Sequence, residues 1–258
     1  MGGMCTAIIS VDPSSRVPVL VVGVRDEFLA RDWVPPGRHW PGRPGLVGGR
    51  DLRAGGTWLA VDPAAPRAGL ILNGRGVMAD EARRESRGEL PLRIAADGGL
   101  GGLDAGAYDP FHLVGAEPDG VRLWSWDGIA LVERDLGAGL HMIVNSGLEG
   151  EGRRDTPSGD PSEDVFMGAR LAHFRPRFAA AARPEPGRDG GGWGEWLPLV
   201  NGGGIARADH RALLPLLDVG AGERWGTTSV SLVALWPGGV RYDFRAVPGD
   251  PDGWTRVL

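Results

Sequence analysis

The sequence contains no lysine and no glutamine, and its only asparagines are Asn73, Asn145 and Asn201. All 28 basic residues are therefore arginine. Without a lysine amine there is no Schiff base to a carbonyl or pyridoxal cofactor, and no phosphate-binding loop of the lysine-bearing kind. The skew itself asks for no function, because GC-rich coding produces it together with abundant glycine, alanine and proline. Cysteine is nearly absent as well. Cys5 stands alone, which excludes an intramolecular disulfide, a zinc finger, a cysteine-held iron–sulfur cluster and the Cys-x-x-Cys-His haem attachment.

Other absences bound the partners. No apolar run approaches the ~18 residues of a membrane span, so no integral membrane span is expected. The N-terminus lacks the basic region and apolar stretch of a secretory signal, which makes the cytoplasm the expected address. The formal charge is −5, and no basic run exceeds Arg153-Arg154, so nucleic acid is not an expected partner. His39, His112, His141, His173 and His210 are scattered, with no close metal-ligand pair, and read as structural or surface residues.

What is abundant is glycine and proline, 44 and 21 of the 258 residues, about a quarter of the chain and a level at which disorder becomes a serious alternative. Apolar runs oppose that reading. Cys5 to Ser10 and Val17 to Val24 read as two strands joined by the turn Asp12-Pro13-Ser14-Ser15, a hairpin with Cys5 at its outer end. Gly55 to Asp62 and Ala68 to Gly74 repeat the pattern. Phe111–Ala116, Gly120–Trp126, Gly128–Glu133 and His141–Val144 follow as short strands, and Thr227–Trp236 with Val240–Ala246 make a closing hairpin. Pro35 to Gly49 reads as a surface loop, as does Arg183 to Gly194. A helix capped by Ser162 is expected to kink or end at Pro176, and a short helix is expected around His210 to Leu217. Strands resume after every loop, so residues 1–258 are expected to form one α+β domain with mainly antiparallel strands.

The candidate chemistry centres on Cys5. A thiol attacks as thiolate, and an unperturbed pKa of about 8.5 calls for a neighbouring base or cation. If the residues before Cys5 are removed, or if the true start is Met4, the α-amine of Cys5 can take the thiol proton at about pH 8. Arg25 and Asp26 follow the second strand, where the hairpin returns beside Cys5. The Arg25 guanidinium would favour the thiolate and the Asp26 carboxylate would hold the amine. Acyl transfer also needs donors for an oxyanion, and Asn73 and Asn145 are placed at strand ends for it. Each has a plainer alternative: an inert buried cysteine, a solvated charge run, turn-forming asparagines.

Several blocks carry a resemblance. Met4-Cys5-Thr6-Ala7-Ile8, Val24-Arg25-Asp26-Glu27, Gly48-Gly49-Arg50-Asp51 with Gly55-Gly56-Thr57-Trp58-Leu59, Leu72-Asn73, Ser86-Arg87-Gly88-Glu89-Leu90, Asn145-Ser146 and Trp225-Gly226-Thr227 together resemble the NRDE family, also called the transport and Golgi organisation protein 2 family. Val24 stands where the name-giving Asn-Arg-Asp-Glu tetrad begins, and Thr228 where the family has arginine. The resemblance implies a four-layer αββα sandwich of two mainly antiparallel sheets, like that of N-terminal-nucleophile hydrolases. The start also resembles bile-salt hydrolases and penicillin V acylases. It implies Cys5 as nucleophile, Arg25 and Asp26 as its supports, and Asn73 and Asn145 as oxyanion or substrate-amide contacts. The expected substrate is an acyl amide or acyl thioester, with no cofactor. The family's association with haem and acyl-CoA metabolism implies a second expectation, a noncatalytic haem or acyl-CoA carrier.

Overall fold

The computed structural model describes residues 5–151, 161–187 and 191–258. The Met4 start, Arg153-Arg154 and the middle of the Arg183–Gly194 loop lie outside the described residues. β1 (Thr6–Val11) and β2 (Val19–Phe28) form the expected hairpin, with Thr6 opposite Val24. β3 (Trp33–Gly37), β4 (Val47–Asp51), β5 (Leu59–Asp62) and β6 (Arg67–Asn73) follow, then α1 (Leu90–Asp97). Next come β7 (Phe111–Glu117), β8 (Gly120–Trp126), β9 (Leu131–Leu136), β10 (Gly139–Val144) and β11 (Gly147–Leu148). The C-terminal part holds α2 (Pro161–Ala180), α3 (Trp196–Val200), β12 (Leu216–Gly220), β13 (Glu223–Trp236), β14 (Gly239–Ala246) and β15 (Thr255–Arg256).

These strands make two sheets. One runs β11-β10-β1-β2-β13-β14-β15 with β12 alongside β13, and the other is the meander β3 to β9. All of their pairings are antiparallel. Ala7, Ile9, Val19 and Val21 of the first sheet pack between the sheets against Leu59, Leu70, Leu72 and Val114 of the second. The intervening Ile8, Leu20 and Val22 point the other way, onto Phe174 and Phe178 of α2 and Trp196 of α3. On the far side, Leu90 and Ile94 of α1 cover Leu113 of β7, while Leu92 and Ala95 cover Ala60 of β5. The result is the expected α+β order of four layers, helix, sheet, sheet, helix. Because the first sheet is buried on both faces, its strands are continuous apolar runs rather than alternating ones.

Local expectations fail in four places. Pro35 to Gly49 is not one loop: Pro35 and Pro36 lie within β3, an edge strand, where a missing N–H costs no ladder bond. The second sheet then resumes in β4. α2 opens at Pro161, one residue before the expected Ser162 cap, and of the two outcomes expected at Pro176, a kink or an end, the end does not occur, since the helix runs on to Ala180. Its last turn is held by Phe178, buried edge-on to Trp196 at 5.1 Å, which offsets the lost helical bond. His210 to Leu217 is not helical. Asp209 accepts the Arg211 N–H at 2.8 Å to form a turn, and the chain passes through Pro215 into β12. The α1 helix went unread, although Pro91 in its first turn and Gly98, at φ 76 after its end, are start and stop signals.

The glycine-rich blocks are packing devices. A Cβ on Gly49 would lie 2.3 Å from the Trp58 ring, and one on Gly56 would lie 2.4 Å from the backbone of Gly88. Trp58 therefore lies flat on β4, and the segment through Gly88 sits directly on Gly56. We predict that Gly49→Ala lowers stability by about 1–3 kcal/mol through overpacking. Urea unfolding measures it, and a midpoint equal to wild type would show that Trp58 can move aside.

Candidate active site

Successive side chains of a strand point to opposite faces, so neighbouring Arg25 and Asp26 part company. Arg25 shares the inter-sheet face with Val21, and Asp26 shares the helix-side face with Val24. Asp26 is buried under α2. Its Oδ2 accepts from Arg170 Nη1 at 2.9 Å, and its Oδ1 from the Thr227 hydroxyl at 2.7 Å. Arg170 is itself 1% exposed and also donates to Thr6 Oγ1 at 2.7 Å and to the Ala212 carbonyl at 2.9 Å. Burial raises the Asp26 carboxyl to about 6, opposed by Arg170 and Thr227.

Arg25 faces the second sheet. Its Nη1 donates to Thr228 Oγ1 at 2.8 Å, its Nη2 to Asp51 Oδ2 at 3.1 Å, and its guanidinium lies 4.6 Å from the Trp58 ring centre. Asp51 also takes Arg31 through both oxygens, at 2.5 and 3.2 Å, and closes its own turn by accepting the Ala54 N–H at 2.8 Å. Burial alone would raise Asp51, but Arg31, the Ala54 N–H and Arg25 hold it below the usual carboxylate range. A bulge in β13 serves both neighbours. Thr227 pairs with Asp26 and Ser229 with Arg25, leaving Thr228 as the extra residue. Such a bulge re-aims side chains beside a site; here it gives Asp26 and Arg25 one threonine hydroxyl each.

Cys5 is half-buried at the start of β1, and its thiol donates to the Asp26 carbonyl at 3.8 Å. It opens into a cavity of about 360 Å³ that Arg25, Trp58, Asn73 and Arg87 also border. Burial pushes the thiol up to about 12, with Asp26 adding to the rise, while the bond to the Asp26 carbonyl and the charge of Arg25 oppose it. Arg25 thus acts in the expected direction, but its charge is shared with Asp51 and Glu27 and is outweighed by desolvation.

The two asparagines separate. Asn73 ends β6 and borders the Cys5 cavity. Asn145 follows Val144, the partner of Thr6, and so stands opposite Cys5 in the extended register. It borders a different cavity, of about 190 Å³, with Arg75, His112 and Ser125. Its carbonyl accepts from His112 Nε2 at 3.2 Å, which fixes the proton on that nitrogen and leaves Nδ1 to accept from Ser125 Oγ at 2.9 Å. Burial lowers His112 to about 4, so it is neutral near pH 7. No histidine borders the Cys5 cavity among the described residues. Sequence reasoning missed Arg170 altogether, since it lies in a helix without a motif. Asp51 and Arg87 sit inside the Gly-Gly-Arg-Asp and Ser-Arg-Gly-Glu-Leu blocks, which were the available signal.

The arrangement is that of an αββα sandwich with a single thiol at the strand ends between its sheets. Residues 4–154 match the family description Transport and Golgi organisation 2. That is more than half of the 258 residues, and the chain belongs to this family. No curated protein sequence matches the chain. No helix among the described residues is long and apolar enough to cross a membrane.

Two predictions follow from these buried charges. Asp26→Asn leaves the Arg170 guanidinium uncompensated and should cost about 3–5 kcal/mol, read by urea unfolding; a loss below about 1 kcal/mol would show that water reaches the pair. For His112, the unfolded imidazole takes a proton below about pH 6.5 that the folded one refuses until about 4. Its contribution to stability is therefore lost as pH falls through that window, by about 3 kcal/mol in total. Wild type should lose that much relative to His112→Gln between pH 6.5 and 4, and parallel stability profiles would contradict the assignment.

Proposed function

We propose that the chain is an N-terminal-cysteine amidohydrolase or acyltransferase acting on an acyl amide or acyl thioester, with Cys5 as nucleophile. The observation that carries this reading is the position of the Cys5 thiol at the mouth of a cavity that Asn73 and Arg25 also border. With its backbone nitrogen in a peptide bond, Cys5 has no base, and its thiol stays protonated well above neutral pH. Removal of the residues before it frees an α-amine with a pKa of about 8 on the same residue. Asp26, whose oxygens accept from Arg170 and Thr227, keeps lone pairs with which to hold that amine.

The amine takes the thiol proton, and Sγ forms a bond to the acyl carbon. The resulting oxyanion is stabilised by the Asn73 amide, and Asn145 contacts the part of the substrate that extends towards the neighbouring cavity. Collapse breaks the bond to the leaving amine or thiol, which departs with the proton held by the α-amine. Water or an acceptor amine then attacks the thioester, gives a proton to the α-amine, and releases the acid or the transferred product as Sγ takes that proton back. The alternative of a noncatalytic haem or acyl-CoA carrier draws less support from this site. Iron prefers a thiolate or an imidazole, whereas the thiol is held protonated and no described histidine borders its cavity.

Two chains, one retaining the preceding residues and one beginning at Cys5 by intact mass, separate the steps. In the longer chain, Cys5 alkylation should rise about tenfold per pH unit up to pH 9. In the chain beginning at Cys5 it should level off near about pH 8. Only the latter should cleave acyl amides or thioesters, and Cys5→Ala should lower that rate by about a thousandfold or more. Equal cleavage by both chains would eliminate the amine as base.

A further inference from the structure

The charges around the Cys5 cavity do not cancel. The charge of Asp26 is matched by Arg170 beneath α2. Arg25 and Arg31 share Asp51, and Glu27 lies within 4.0 Å of both. Arg87 is different. It is half-buried on the cavity wall, and no carboxylate among the described residues lies within ion-pair distance of it. Asp109, whose charge opposes the lowering of the Arg87 pKa, is paired with Arg84 at 3.2 Å. Its hydrogen bond to protein is from Nη1 to the Pro110 carbonyl, at 2.6 Å. That bond anchors one end of the guanidinium and leaves the Nε–Nη2 edge, the planar fork that matches a carboxylate with two parallel bonds.

Two features make this a built position. Ser86 Oγ accepts the Gly88 N–H at 3.3 Å, and the Gly88 carbonyl accepts the Thr57 N–H at 2.9 Å. The Gly56–Gly88 contact leaves no room for a side chain there, so Arg87 is held on a fixed stretch of backbone. The guanidinium also borders the same cavity as the Cys5 thiol, and burial lowers its pKa. A half-desolvated cation of this kind is stabilised by an incoming anion.

We propose that the acyl substrate is an anion, its carboxylate seated on the Nε–Nη2 edge of Arg87 while its acyl carbon meets the Cys5 thiol. The acyl part of this statement rests on Cys5 being the nucleophile; the anion preference belongs to the cavity whether or not turnover occurs. Phe28, Trp58 and Ile71 supply apolar wall for the rest of the molecule. The substrate class is thus an amide or thioester that carries a carboxylate, such as the half-amide of a dicarboxylic acid.

Because Cys5 is the only cysteine, alkylation reads this cavity alone and needs no catalysis. At pH 9, the rate with iodoacetate divided by that with iodoacetamide, each scaled to glutathione, reports the preference for an anion. Arg87→Gln should lower this ratio about tenfold with the iodoacetamide rate little changed. Arg53→Gln, at an exposed position on the same rim, should change it less than about twofold. A ratio unaltered by Arg87→Gln overturns the proposal. A second measurement needs no variant: succinamate should protect Cys5 from iodoacetamide at concentrations where neutral succinamide does not. Equal protection by the two, or none by either, also overturns it. Failure here with amide cleavage intact would remove only the anion preference, whereas a preserved preference without cleavage would remove only the hydrolase reading.

Discussion

The pair formed by Asp26 and Arg170 is the contact on which the site depends. Arg170 comes from α2, Asp26 from β2, and the same guanidinium reaches Thr6 of β1 and the chain at Ala212. One cation thereby fastens a helix, the first hairpin and the segment leading to β12. Two charges taken out of water are costly by themselves, so the pair persists only with its remaining polar atoms satisfied. Thr227, Thr6 and the Ala212 carbonyl do that. The adjacent backbone benefits: the Asp26 carbonyl, fixed by the same strand, accepts the Cys5 thiol.

Arg25 is the counterpart on the other face of the same strand. It joins the first sheet to the second through Asp51 and Trp58, while Asp26 joins that sheet to the helices. Two neighbouring residues thus tie three layers together at the level of the thiol. The position of Thr228 in the β13 bulge belongs to this scheme, since its hydroxyl accepts from Arg25.

The cavity is therefore neutralised along its floor and positive at one wall. Desolvation keeps the Cys5 thiol protonated more strongly than Arg25 can oppose, which is why the proposed mechanism calls for a free α-amine as base. Arg87 adds charge on a wall where no carboxylate among the described residues lies within ion-pair distance of it. Under the proposed reading, a carboxylate-bearing acyl group would occupy the space between this thiol and this cation.

Composition and local pattern settled the long apolar strands, because β-prone runs punctuated by Gly, Pro and Asp leave few other conformations; the β1–β2 and β13–β14 hairpins and β8 were legible, whereas β3, β4 and β12 were not. The hairpin also put Arg25 and Asp26 beside Cys5, since antiparallel pairing makes nearby strand ends meet. Period-2 reasoning could not say which face each residue takes, because both faces of the first sheet are buried and equally apolar. That choice separated Arg25 from Asp26, sent Asn145 towards a different cavity from Asn73, and brought in Arg170 across 144 residues of chain. The sequence by itself determined the apolar core strands, the lone thiol and its immediate neighbours. Only the tertiary structure decided which charges are paired among the described residues and that Arg87 is not among them, because pairing is a matter of distance between segments that local sequence leaves unspecified.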